Sequence, residues 1–195
     1  MIACDVVLLP PREVAEKAIE TNQKIIESGN LDIVLDKEKC LPHITLAMGC
    51  LKEDNLREAE NVLKETGGGF LPLEIKIVPS KAGKACFRIE KNEDISALHE
   101  SVMKNMAPFF SYDVKKDMLY QEKDEEINDI TIHYIKNFSG EHSFEKHEPH
   151  ITVGHGEMDI EVSTFEFKAD ELALCHLGNF CTCRKILFSC SLGPD

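Results

Sequence analysis

Apolar positions along the chain recur with two periods, and the switches between them mark out the elements. Val6 to Leu9 form an apolar run that ends at Pro10-Pro11 and reads as a strand. Ala15, Ala18, Ile19, Asn22, Ile25 and Ile26 then keep a helical stripe until Gly29 stops it. After a strand beginning near Ile44, Asp54 opens a second helix with Leu56, Ala59 and Leu63 on one side and Gly67-Gly68-Gly69 as terminator. Leu71, Leu73, Ile75 and Ile77 alternate with polar neighbours as in a half-buried strand, and KACFRIE (84–90) reads as its hairpin partner across PSKAGK. Asp94 is the expected cap of a third helix carrying Ile95, Leu98, Val102 and Met106, closed by Pro108. From Ser111 to Asp129 no clean period emerges, and the stretch reads as loop. Alternation in NDITIHYIKNF (128–138) predicts a strand with Thr131, His133 and Ile135 on one face, and STFEFKADELALCHLG and CRKILFSCSL predict two more. Strands and helices intermixed in this way indicate an α+β fold. A β-α-β unit in each half, each with its own sheet, would make residues 1–195 a single bilobal domain.

One phrase occurs twice: Pro42-His43-Ile44-Thr45 and Pro149-His150-Ile151-Thr152. Each copy is preceded by a proline that favours extended backbone and followed by residues suited to a strand. In a strand the side-chain period is two, so His43 and Thr45 share one face, as do His150 and Thr152, while Ile44 and Ile151 point the other way into a core. Two such strands related by an approximate two-fold would set two imidazoles and two hydroxyls around one cavity, suited to a phosphate gripped from both sides.

Composition narrows the possibilities. With 43% apolar and 29% charged residues in 195, the chain is globular. A net charge of −13 argues against an extended nucleic-acid surface, because such affinity comes from neutralising phosphates with Lys and Arg. A small nucleotide or an RNA end needs only a local pocket. The amino terminus has no basic leader and Asp5 interrupts its apolar run, so a cytoplasmic, membrane-free monomer is expected. The eight cysteines show no framework spacing and are expected to be reduced.

The paired His-x-Thr motifs in a chain of this size resemble the two-histidine (2H) phosphoesterase superfamily, which includes 2′-5′ RNA ligase-like proteins and cyclic nucleotide phosphodiesterases. CDVVLLPPREV resembles that family's first strand and helix, HITLAMGCL its first motif, and the segment from Glu171 to Leu192 its closing strand pair. The worst match is the stretch from Tyr112 to His147. The resemblance implies two antiparallel-rich sheets facing a central cleft that holds both motifs. It also implies a metal-independent phosphodiesterase, without cofactor, acting on a 2′,3′-cyclic phosphate or a 2′-5′ bond. His43 and His150 would be the catalytic acid and base and Thr45 and Thr152 the phosphate donors. With both imidazoles starting near their unperturbed value, a bell-shaped kcat/KM profile with its maximum at about pH 6 to 7.5 is expected.

Rival readings are a 2′-5′ RNA ligase, a nucleotide-binding module without turnover, and a zinc-stabilised interaction domain. His147, His150 and His155 with Glu148 and Glu157 could suggest a metal site, but the first motif has no such neighbours. Cys181-x-Cys183 with His176 resembles half a zinc site and lacks a second cysteine pair at a usual spacing. Lys84, Arg88, Arg184 and Lys185 are candidate cations, and Tyr112, Tyr120 and Tyr134 candidate stacking partners.

Overall fold

The structure is a computed structural model that describes residues 1–79, 83–158 and 161–194, with only the backbone given for Gly83, Glu157 and Met158. In chain order it runs β1 (Ile2–Leu9), α1 (Arg12–Glu27), β2 (Ile44–Leu51), α2 (Leu56–Gly68), β3 (Leu73–Ile77), β4 (Gly83–Arg88), α3 (Glu93–Met106), α4 (Asp129–Glu141), β5 (His150–Met158), β6 (Phe165–Ala169), β7 (Glu171–Leu177) and β8 (Cys183–Ser191). The fold is α+β with two antiparallel sheets, one of six strands in the order β4-β5-β2-β1-β7-β8 and one of two, β3-β6.

Both motifs lie on the larger sheet. The expectation of one sheet for each half is corrected here: β2 and β5 are neighbours, joined through the single residue pair Ile44↔Ile151. Ile44 and Ile151 are fully buried, as the alternation requires, so the histidines and threonines on either side of them face the opposite way.

The helices pack by the stripes that the sequence carries. Val14, Ala18 and Ile25 bury one face of α1, and Asn22 in the same stripe is fully buried with its amide satisfied. It donates to the carbonyls of Ile33 and Val153 and accepts from the Leu35 N–H, which ties α1 to β5 and to the connection that follows α1. In α3 the cap is Asn92, whose side chain accepts from the Ile95 N–H, two residues earlier than the expected Asp94.

Three expectations fail on sheet pairing and period. NDITIHYIKNF is the helix α4. Asn128 caps it by accepting from the Ile130 N–H, and Thr131, Ile135 and Phe138 bury one helical face at spacings of four and three, a pattern the β-branched residues disguise. β4 is not a regular hairpin partner of β3. It joins β5 in the large sheet and β3 pairs with β6, leaving the bridge Ile77↔Ile89 and the bonds from Val78 N–H to Arg88 O and from Glu90 N–H to Lys76 O. Part of the expected turn, residues 80–82, lies outside the described residues. STFEFKADELALCHLG divides at Asp170 into β6 and β7, which belong to different sheets. The stretch after Ser111 is irregular apart from one turn of 3-10 helix at Lys116–Met118.

Candidate active site

His43, Thr45, His150 and Thr152 all line one cavity of about 800 Å³. Its walls come from β2, β4, β5, α4 and the turn at Asn179–Cys181, and Lys84, Arg88 and Lys91 supply positive charge against the acidity of the whole chain. Lys84 and Arg88 sit two positions either side of Cys86 on β4, and Arg88 is directly opposite His150 in the β4/β5 register.

The two motif rings are held in the same way. His43 donates from Nδ1 to the carbonyl of Leu41 at 2.8 Å, and His150 donates from Nδ1 to the carbonyl of Glu148, also at 2.8 Å. In each case the acceptor is two residues back along the chain. A carbonyl can only accept, so both rings carry their proton on Nδ1 and leave Nε2 to take or give the second one. Burial lowers both rings below the ordinary imidazole range, His43 to about 4 with the charge of His150 pushing the same way. The ligand-free site thus holds two neutral imidazoles at neutral pH.

The threonines are not equivalent. Thr152 lies across from Cys86, and its hydroxyl has no hydrogen-bond partner among the described residues. Thr45 instead donates its hydroxyl hydrogen to Oδ2 of Asp5 at 2.7 Å. Asp5, on β1, is fully buried, and its Oδ2 is 3.7 Å from His43 Nε2. The sequence carried this signal in plain sight, since an acid inside a buried strand needs a reason; Asp5 stood out only as a break in an apolar run.

His147, Glu148, His150 and His155 all line the cavity, but among the described residues they do not bring metal-ligand atoms together. His147 donates from Nε2 to the Thr45 carbonyl and packs on His99, itself buried in α3 and donating from Nδ1 to the Leu46 carbonyl. His155 pairs with Asp32 at 2.7 Å and packs on Phe180 at 4.8 Å between ring centroids. The side chain of Glu157 lies outside the described residues. His176 donates to the Met118 carbonyl and does not gather with Cys181 and Cys183, of which Cys181 lines the cavity. Of the other candidates, Tyr134 lines the cavity, Tyr120 packs on His176, and Arg184 pairs with Glu122 and Glu125 away from the motifs. All eight cysteines are free thiols.

Among the described residues, Asp5, His43 and Cys183 bring potential metal-ligand atoms within 4.8 Å of one another. Burial holds the Asp5 carboxyl and the Cys183 thiol well above their usual ranges, so in the metal-free protein both keep their protons and a metal would have to displace them.

No family model matches the sequence, and a search of curated proteins returns no match. Solved structures do match. TT0787 of Thermus thermophilus superposes with a TM-score of 0.62 at 14% identity, covering 100% of both chains. The two share one fold. E. coli LigT in its apo form superposes with a TM-score of 0.52 at 13% identity over 98% of each chain. The fold is therefore LigT-like. No helix among the described residues is long and apolar enough to cross a membrane.

Proposed function

We infer that the chain is a metal-independent phosphodiesterase that opens a 2′,3′-cyclic phosphate or cuts a 2′-5′ linkage in a small nucleotide or RNA end. The reading is carried by the matched Nδ1 bonds of His43 and His150, which leave two Nε2 atoms available at one cavity. One imidazole takes the proton of the attacking water as its oxygen bonds to phosphorus. The other, protonated when the anionic substrate is bound, gives a proton to the leaving ribose oxygen as its bond to phosphorus breaks. The two rings end with their protonation exchanged, and solvent restores them. Thr152 and Thr45 donate to the non-bridging oxygens as charge builds there, while Lys84 and Arg88 neutralise the rest.

The reverse step, joining RNA ends, needs a longer polyanion against a chain of net charge −13. Turnover of nucleoside 2′,3′-cyclic phosphates and 2′-5′ dinucleotides by the purified protein tests the reading, followed by release of the monoester or nucleoside. Binding without turnover on every such substrate would leave a nucleotide-binding module instead.

A further inference from the structure

Two demands fall on a single hydrogen atom. A threonine has one hydroxyl hydrogen, and Thr45 gives it to Asp5, whereas the phosphodiesterase reading needs that hydrogen for a phosphoryl oxygen. If Asp5 were a carboxylate it could only accept, and turning the Thr45 hydrogen toward the phosphate would leave a buried charge without its one hydrogen bond. It would also place a negative charge beside the incoming phosphate.

We propose that Asp5 is a positioning residue of the first motif that keeps its own proton, and that on substrate binding it turns from acceptor to donor toward Thr45, freeing the Thr45 hydrogen for the phosphate. The proposal rests on the phosphodiesterase reading and extends it to a residue outside both motifs. The change moves no proton between groups. The Thr45 hydroxyl rotates about its C–O bond, the carboxylic O–H points at Oγ1, and the proton count is unaltered.

Three observations carry it. Asp5 has no exposed surface, and Oδ1 is buried without a hydrogen-bond partner, so an ionised carboxyl would have one oxygen neither solvated nor paired. No fixed cation among the described residues faces it. The groups around it are Cys4 on its own strand, Thr45 and His43 at β2, Cys175 on β7, Cys183 on β8, Cys181 in the turn and Tyr134 on α4, each neutral or an acid itself. The single basic ring, His43, is held neutral by burial. Finally, the second motif has no carboxyl at the matching place; Thr152 faces Cys86, and its hydroxyl already lacks a partner among the described residues. Burial moves the Asp5 carboxyl well above the usual carboxylate range, in agreement with the geometry.

The test uses the whole chain and has two arms. Infrared difference spectra of wild type against Asp5→Asn at neutral pH should show the carbonyl stretch of a protonated carboxylic acid, lost in the variant. A carboxylate pair of bands in its place overturns the proposal. Kinetics on cytidine 2′,3′-cyclic phosphate form the second arm. Asp5→Asn, whose amide can donate to Thr45, should keep kcat within about threefold, whereas Asp5→Ala should lose on the order of tenfold in kcat with little change in KM. On a Thr45→Ala background the Asp5→Ala change should cost less than about twofold, since the two act as one unit. Asp5→Asn as inactive as Asp5→Ala, or single losses that multiply, would sink the idea. Should Asp5→Ala fail to fold, the spectra and the Asn variant still decide it. If wild type cleaves no substrate of either class, the phosphodiesterase reading falls, while the infrared band independently reports whether Asp5 holds its proton.

Discussion

His99 and His147 stack face to face, their ring centroids 3.9 Å apart and their planes 5° from parallel, under the strand that carries Thr45. Neither ring is built to be charged. His99 accepts the Phe144 N–H on Nε2, and His147 has a buried Nδ1 with no partner. Burial lowers both, His147 from 6.5 to about 4. Between those values the unfolded chain binds a proton that the folded chain refuses. Stability from this ring is therefore fully present above about pH 6.5 and is lost as pH falls toward 4, by on the order of 3 kcal/mol for His147. Urea unfolding at neutral pH and near pH 4.5 measures it. His147→Gln, which can still donate to the Thr45 carbonyl, should show a shallower acid loss; an unchanged loss would place its source elsewhere.

Removal of either motif imidazole should abolish turnover without unfolding the chain. His43→Ala and His150→Ala are each expected to lower kcat by about two to four orders of magnitude, and Thr45→Ala and Thr152→Ala by on the order of 10- to 1000-fold. Near-normal kcat in either histidine variant, on every substrate the wild type cleaves, would refute the paired-histidine site.

The pH optimum expected from unperturbed imidazoles moves once burial is taken into account. In the free protein both motif rings are depressed, His43 to about 4, so the singly protonated form that the mechanism needs grows as the solution is acidified. The kcat/KM profile should therefore be a bell with its maximum below about pH 6, while kcat, which reports the complex, peaks higher because the bound phosphate favours a protonated ring. A kcat/KM that climbs steadily into alkaline solution would contradict acid-base catalysis by this pair.

Chelation should change neither activity nor melting temperature, since proton transfer and hydroxyl donors suffice for the reaction. Metal analysis of the purified protein provides the complementary measurement. Stoichiometric zinc, lost together with activity, would point to Asp5, His43 and Cys183 as its holders and overturn the proton assignment made for Asp5.

The motif residues were legible in the sequence because repetition, strand period and side-chain chemistry agree at His43, Thr45, His150 and Thr152. α4 was not, because Ile130, Thr131, Ile132 and Ile135 favour strands intrinsically, and the helical burial of Thr131, Ile135 and Phe138 emerges only against the sheet it packs on. Sheet membership of β4 and β6 was hidden for a related reason: a strand's alternation says which face is buried but not which neighbour it joins. Asp5 and His99 depend on contacts 40 and 53 residues away in the chain, which no local pattern records.

Among the described residues, β2 and β5 pair in register only at Ile44 and Ile151, whereas each has a longer ladder on its other side, to β1 and to β4. A sideways parting of the large sheet at that point would break the bonds of Asn22 to Val153 and of His147 to Thr45 but leave both ladders whole, and would draw His43 and Thr45 away from His150 and Thr152. On the phosphodiesterase reading, activity is therefore expected to be lost before the fold. In mild denaturant, turnover should fade while circular dichroism still reports a folded chain, and the amides of β1 and β7 should keep their exchange protection after catalysis has gone.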